Sequence, residues 1–436
     1  MTPDGEAFAP SRKAELRAAG LKVGAAAVIA AGLFGLYAHE VTVEQQVADL
    51  LAGTKVAGGR AGGARAELNK DTPRGWLSAE DQLKKALALQ PSNPYAVAAY
   101  ADVQVMLSGA GFSDRSQRAD EAVARADGKD VVLPERFEAR ALLMISAGKA
   151  GEAEAYLTSL LEKYGAVPRL VDALGRAQRA SGKLAAARQS FKKAQEADWR
   201  SPRYLADYAQ ALLEDGNALE AAQAFDRALQ ANSDHTRAQI GKARALVALT
   251  RLGRGGGDLG AARALCDAVL AKPAEELPAA LKARALSARS EAKLAFGDAP
   301  GAAQDAAAAV QVDGKSAAGL RARALVLAFA RNPDAAAAFQ PAIAADPYDA
   351  ATWFDGATAL AAAGDDAGAE KLLVAAAATL PKSARYHLAL AQVFARREAW
   401  KDAEAELLKA QHLEPTNVRN VDAALKTWVK EARALH

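Results

Sequence analysis

The feature that most constrains this chain is a spacing of 34 residues between recurring residue classes. Between Pro168 and His235, two consecutive segments carry the same classes at the same offsets, with no insertion between them. The matched residues are Val171, Leu174, Gly175, Gln178, Gly182, Ala187, Phe191 and Ala194 in the first segment and Leu205, Tyr208, Ala209, Leu212, Gly216, Ala221, Phe225 and Ala228 in the second. The two segments are therefore two copies of one structural unit.

Each unit has the pattern of a helical hairpin. Positions 4, 7, 8 and 11 of the unit share one face of a first helix, and positions 20, 24 and 27 share one face of a second. Ser201 before Pro202 is typical of a helix start, because serine caps the first turn and proline suits it. Gly182 and Gly216 lie where the first helix should end with a positive φ. The chain is therefore predicted to repeat pairs of packed helices.

This pattern resembles the tetratricopeptide repeat (TPR), in which a large residue, Leu-Gly, a Tyr-like residue, Ala, Phe, Ala and Pro recur over 34 residues. The stretch from Trp353 to Pro415 again repeats at this spacing, whereas residues 236–347 keep it only loosely. The resemblance implies an all-α, right-handed α-solenoid of about nine TPR-like helix pairs. The apolar run at residues 23–38 predicts that one N-terminal transmembrane helix precedes it. The resemblance also implies that the array binds other proteins along its concave face.

Composition and charge argue against several other classes of protein. The chain is 51% hydrophobic but only 6% aromatic, so its apolar content is largely alanine, which favours helix. A net charge of +3, with acidic and basic residues interspersed, gives little support for nucleic acid as a partner. One cysteine, Cys266, excludes an intramolecular disulfide. We find no catalytic, metal or cofactor signature and expect no enzyme, no cofactor and no small-molecule substrate.

The N-terminal part is predicted to anchor the array in a membrane. Residues 1–22 are a polar tail, and residues 23–38 are sixteen uncharged, mostly apolar residues that would span about 24 Å as a helix. Basic residues are concentrated before this run, which predicts a cytoplasmic N-terminus and a periplasmic array in a bacterial inner membrane. Two other interpretations of residues 23–38 stay open: a cleaved signal peptide and a soluble alanine-rich helix.

The remaining boundaries follow from composition and from the repeat spacing. Residues 39–75 are predicted to be a glycine-rich tether with a possible short helix, and residues 76–416 the TPR solenoid. Residues 417–436 would form a closing helix that covers the last exposed apolar face. The layout resembles single-pass TPR proteins of envelope machines and predicts a non-enzymatic scaffold or assembly factor. The alternative is a soluble cytoplasmic TPR regulatory or adaptor protein.

Positions 2, 5, 6, 9, 12 and 13 of each first helix should point into the concave groove. Arginine is the commonest charged residue at these positions, and Arg237, Arg244 and Arg284 join the set if the looser repeats keep their phase. In the regular repeats the groove arginines are Arg169, Arg176, Arg179, Arg203, Arg385 and Arg396. Acidic residues at these positions are fewer than the nine arginines: Glu135, Glu138, Asp172, Asp207, Asp355 and Glu214.

The groove suggests an acidic partner. TPR proteins that grip C-terminal carboxylates carry lysine at position 5 and asparagine at position 9, and the regular repeats lack both. Our hypothesis is that the groove around Arg169, Arg176, Arg179 and Arg203 binds an acidic segment of another protein through guanidinium–carboxylate pairs. The competing interpretation is that these arginines are solvated side chains in an arginine-rich composition.

Overall fold

A computed structural model describes residues 57–112, 115–128, 133–251, 257–380 and 384–413 of the chain. Within these ranges the regular structure consists of twenty α-helices and a short 3-10 turn at Ala274–Glu276. The helices are α1 Ala57–Leu68, α2 Pro73–Leu89, α3 Pro94–Gly109, α4 Ser116–Asp127, α5 Pro134–Ser146, α6 Ala150–Tyr164, α7 Pro168–Ala180, α8 Leu184–Ala197, α9 Pro202–Glu214, α10 Ala218–Ala231, α11 Thr236–Arg251, α12 Leu259–Leu270, α13 Ala279–Phe296, α14 Ala299–Val312, α15 Ala317–Phe329, α16 Ala335–Ala345, α17 Ala350–Ala363, α18 Asp366–Thr379, α19 Ala384–Arg396 and α20 Trp400–Leu413.

The helices pack in consecutive pairs, α1 with α2 through α19 with α20. First helices also pack on the next first helix, as α13, α15, α17 and α19 do in turn. The described residues therefore form an all-helical repeat array. From Pro94 onward it contains nine pairs, which is the number that the sequence predicts.

Local signals in the sequence explain where the helices begin and end. Ser201 accepts a hydrogen bond from the Tyr204 amide at 3.4 Å and caps α9, which begins at Pro202. Gly182 and Gly216 follow α7 and α9 with φ values of 76° and 88°, as predicted. Only glycine adopts this conformation without a steric cost, so each first helix ends sharply and the second can fold back.

The structure differs from the sequence prediction at the start of the array. Residues 57–68, part of the predicted tether, form α1 and pack on α2. Glycines lower helix propensity here by about 1 kcal/mol each, which made the stretch resemble a tether. Ala61, Ala64 and Leu68 are nevertheless buried at helical spacing. Packing of this apolar stripe outweighs propensity, so the array begins with a tenth pair at residue 57 and not at residue 76.

Several predicted segments lie outside the described residues. They are the polar tail 1–22, the transmembrane anchor 23–38, residues 39–56 of the tether and the closing helix 417–436. Among the helices that the structure does describe, none is both long enough and apolar enough to cross a bilayer.

The array curls into a superhelix, in which helices about five pairs apart in sequence come into contact. Arg179 Nη2 donates to Asp346 Oδ2 at 3.1 Å across 167 residues of sequence. Arg385 Nη1 donates to the Glu214 carbonyl at 2.8 Å across 171 residues. Asn232 Nδ2 donates to the Lys70 carbonyl at 2.7 Å across 162 residues. Each separation is close to five units of 34 residues, so α19 closes against α9 and the first helices surround a lumen.

The helix phase gives a direct stability test. Ala221 is fully buried in α10, whereas Gln189 in α8 is exposed. Ala221→Arg places a large charged group in a helix interface and is expected to cost about 2–4 kcal/mol of unfolding free energy. Gln189→Arg is expected to change it by less than about 0.5 kcal/mol. Urea unfolding of both variants measures the difference; equal losses would mean that the packing faces are misassigned.

Candidate binding site in the lumen

Arginines of the first helices pair with carboxylates of the preceding first helix. The two partners lie 30 or 31 residues apart in sequence, which is one helix turn less than the repeat. The pairs and their distances are Arg169–Glu138 at 2.6 Å, Arg203–Asp172 at 3.2 Å, Arg237–Asp207 at 2.6 Å, Arg321–Glu291 at 2.5 Å and Arg385–Asp355 at 2.5 Å. We call these five pairs the ion-pair ladder.

The most buried part of the ladder centres on Glu138 of α5. Its carboxylate has no exposed surface and accepts from both Arg169 and Arg203. Arg169 is 5% exposed and also donates to Asp102 at 2.9 Å, while Arg203 is 7% exposed and donates to Asp172. Burying charges without partners is costly, so these residues stabilise the fold only as a connected group.

The ladder lowers the pKa of Asp207, whereas burial raises the pKa of the neighbouring Asp172. Burial raises the pKa of Asp207, but Arg176 and Arg237, each 2.6 Å from its carboxylate oxygens, lower it more strongly. The net result is a pKa of about 2. Asp207 therefore stays ionised in the folded protein at every pH near neutrality.

The depressed pKa predicts how stability depends on pH. In the unfolded chain the pKa of an aspartate is about 3.9, so the stability that Asp207 contributes is present above that value. It is lost as the pH falls from about 4 toward 2, where the folded carboxylate also binds a proton. We expect the contribution of Asp207, measured as the difference in melting temperature between the wild type and Asp207→Asn, to be nearly constant from pH 7 to about 5 and to shrink below about 4. Calorimetry of both proteins across this range tests the prediction.

The six arginines predicted to line the groove lie in three environments. Arg169 and Arg203 are buried within the ladder, so they are not solvated side chains. Arg176, Arg179 and Arg385 are partly exposed and paired: Arg176 with Asp207, Arg179 with Glu214 at 2.9 Å, and Arg385 with Asp355.

Arg396 lies at the end of α19, and its side chain is 40% exposed, with Asp366 4.0 Å away. Binding of an acidic partner by the six arginines stays a prediction. Their carboxylate partners could have been found in the sequence, because an acidic residue at position 5 or 6 recurs one unit before arginine at position 2.

A second feature, outside the sequence prediction, is the junction at Asp71 between the α1–α2 turn and the start of α11. Asp71 is 2% exposed and accepts from His235 Nε2 at 2.9 Å and from Arg237 Nη2 at 2.5 Å. His235 Nδ1 accepts from the Ala238 amide at 3.1 Å. An amide can only donate, so Nε2 carries the proton that His235 gives to Asp71. This junction ties together two turns of the array.

The lumen contains a cavity of about 670 Å³. Its wall includes residues at position 9 of four units, which the helix phase places on the concave face: Gln210, Arg244, Thr358 and Gln392. Each of the six surrounding first helices, α9 to α19, contributes an apolar side chain: Leu213, Val247, Leu294, Leu325, Phe354 and Leu388. A concave, mainly apolar cavity of this size with a few polar groups is typical of a ligand site.

The carboxylates in the cavity wall are all engaged by arginines. Glu291 and Asp355 belong to the ladder, and Glu214 pairs with Arg179. Asp215 pairs with Arg188 at 2.7 Å. The negative charge of the wall is therefore neutralised from within the protein.

Among the described residues, neither the cysteine nor a cluster of metal-ligating side chains offers a second site. Cys266 is buried in α12, and burial raises the pKa of its thiol to about 12, so it is not a reactive nucleophile. Within the ranges that the structure covers, no group of His, Cys, Asp and Glu side chains could hold a metal ion. The cavity is the strongest candidate.

Similarity to known proteins is found among solved structures alone. No protein-family model and no curated protein matches the chain. Among solved structures it is similar to a tetratricopeptide repeat protein from Parabacteroides merdae ATCC 43184, at 15% identity and a TM-score of 0.34, over 68% of this chain and 98% of that chain. It is also similar to the human IFIT1 dimer with m7Gppp-AAAA, at 15% identity and a TM-score of 0.45, over 81% of this chain and 86% of that chain. These likenesses carry no argument about what this chain binds.

Proposed function

We propose that this protein is a non-enzymatic scaffold or assembly factor that binds other proteins in the lumen of its helical array. The observation that supports the proposal is the cavity of about 670 Å³, to which six first helices turn apolar side chains. Phe329 at its rim is 53% exposed, so apolar surface is available to a partner. Burial of such surface is the main favourable term in protein association.

A blocked lumen provides the test. Ala362 is exposed and lines the cavity, so Ala362→Trp should fill the site without disturbing the packed interfaces. Ala375 is exposed on α18, the second helix of the same pair, and Ala375→Trp is the matched control. In crosslinked pull-downs from the native host, we expect Ala362→Trp to lose at least about tenfold of the partner recovered by the wild type. The control should recover it fully, and equal recovery by both variants would contradict the proposal.

We further propose that the array works in the bacterial envelope, with residues 23–38 as its anchor in the inner membrane. Support comes from the sequence: a weakly apolar run preceded by basic residues that would hold the N-terminus in the cytoplasm. The alternative is a soluble cytoplasmic adaptor. A reporter that is active only outside the cytoplasm, fused after His436, should be active and should require residues 21–38. Activity of a cytoplasm-only reporter at that position would rule out this orientation.

A further inference from the structure

Arg244 of α11 and Arg284 of α13 differ from the arginines of the ladder. In the part of the chain that the structure describes, neither has a carboxylate within ion-pair distance. Arg244 is half-buried in the cavity wall. A guanidinium group without a carboxylate partner in the protein is available to a carboxylate supplied from outside.

The surroundings of Arg244 are unfavourable for an unpaired cation. Burial, and next the nearby Arg321, lowers the pKa of Arg244, although Glu291 opposes the change. An anion bound beside this guanidinium group would reverse the effect. Arg284, by contrast, is exposed and does not line the cavity.

The other residues of the cavity wall indicate which further chemical groups a ligand would carry. Six apolar side chains surround the space next to Arg244, one from each of the six first helices around the cavity. Gln210 Nε2 donates to Glu214 at 3.0 Å, which leaves its Oε1 to accept from a peptide amide. The side-chain amide of Gln392 lies 3.1 Å from the Thr358 hydroxyl through one of its polar atoms, which leaves the other to bond to a peptide group. The wall therefore combines apolar surface with backbone-type donors and acceptors.

We infer that the cavity binds an apolar peptide segment that carries a carboxylate, and that Arg244 holds this carboxylate. The inference rests on the proposed function and gives the chemistry of its partner. It also moves the acidic contact away from Arg169 and Arg203, whose charges the ladder already neutralises. Nucleic acid fits less well, since the wall is mainly apolar and the binding of nucleic acid depends on contacts to many phosphates.

The test is to select peptides that bind the full chain from a random heptapeptide phage library. Peptides that also bind the Ala362→Trp variant, in which the cavity is filled, are discarded. Selected peptides should combine apolar residues with at least one aspartate or glutamate. In fluorescence polarisation, Arg244→Gln should weaken binding by about tenfold. Arg227→Gln, a change on the exposed side of α10, should leave it unchanged. Circular dichroism melting confirms that the variants are folded.

A double-mutant cycle isolates the contact between Arg244 and the peptide carboxylate. Replacing the peptide carboxylate by its amide should weaken binding to the wild type as much as Arg244→Gln does, and should have little further effect in that variant. Selected peptides without acidic residues, or a peptide affinity unchanged by Arg244→Gln, would overturn the inference. So would a 5′-triphosphate RNA oligonucleotide that binds more tightly than every selected peptide and requires Arg244.

The pull-down described above separates this inference from the proposed function. If no acidic peptide is selected while Ala362→Trp still loses the host partner and Ala375→Trp retains it, the inference falls and the scaffold proposal stands. Equal recovery by the two tryptophan variants contradicts the scaffold proposal itself.

Discussion

Replacing Glu138 by alanine is expected to destabilise the protein by about 3–5 kcal/mol, the usual result of removing one partner from a buried ion pair. Glu138 has no exposed surface and accepts from Arg169 and Arg203, both of which are buried. Its removal leaves two guanidinium groups in a region from which water is excluded. Urea unfolding monitored by circular dichroism gives the change in unfolding free energy.

The matched control is Asp81→Ala. Asp81 pairs with Lys85 on the exposed side of α2, where an ion pair contributes about 0.5 kcal/mol or less. A loss below about 1 kcal/mol for Glu138→Ala would mean that Asp102 and Asp172 can take over both arginines. The ladder would then not be a connected group.

Replacing Asp71 by alanine is expected to cost about 2–4 kcal/mol and to loosen the contact between two turns of the array. The change removes the acceptor for His235 and for Arg237, although Arg237 keeps Asp207. Asp71 also has a φ of 48°, which aspartate and asparagine tolerate better than alanine. Thermal melting and hydrogen exchange at α1 and α11 measure both effects.

Asp71→Asn is the informative comparison. It retains a hydrogen-bond acceptor and tolerates the positive φ, so it should cost less than half as much as alanine. Equal losses for the two variants would mean that the charge, and not the backbone or the hydrogen bonds, holds the junction together.

The helical pairs could be predicted from the sequence because their signals are local. Val171, Phe191 and the glycines at helix ends recur at one spacing, and each acts within its own unit. Helix α1 could not be predicted, because its glycine content hides a buried stripe that is stabilised only by contact with α2. Local propensity indicates the conformation that a segment prefers in isolation, whereas the conformation of α1 is determined by tertiary packing.

The candidate site was predictable only in part. The phase of the first helices correctly places Gln210, Arg244 and Gln392 on the lumen. The pairing of Arg169 and Arg203 with carboxylates one unit earlier is not evident when each repeat position is considered alone, because the two partners belong to neighbouring units. Closure of the array was not foreseeable, because it depends on small rotations between pairs that add up over five units.

Contact between turns that lie five pairs apart is the feature on which the cavity depends. The Asn232 side-chain amide donates to the Lys70 carbonyl at 2.7 Å, so these two residues lie on either side of the contact. The double variant Lys70→Cys, Asn232→Cys reports directly on that contact. Cys266 is buried and stays unreactive in the folded protein. Treatment of the double variant with a short bifunctional thiol reagent, followed by peptide mass spectrometry, should give a high yield of the linkage between residues 70 and 232 within one chain. Absence of that linkage in folded protein, with both cysteines still reactive toward a monofunctional reagent, would show that the array does not close and that the lumen is not enclosed.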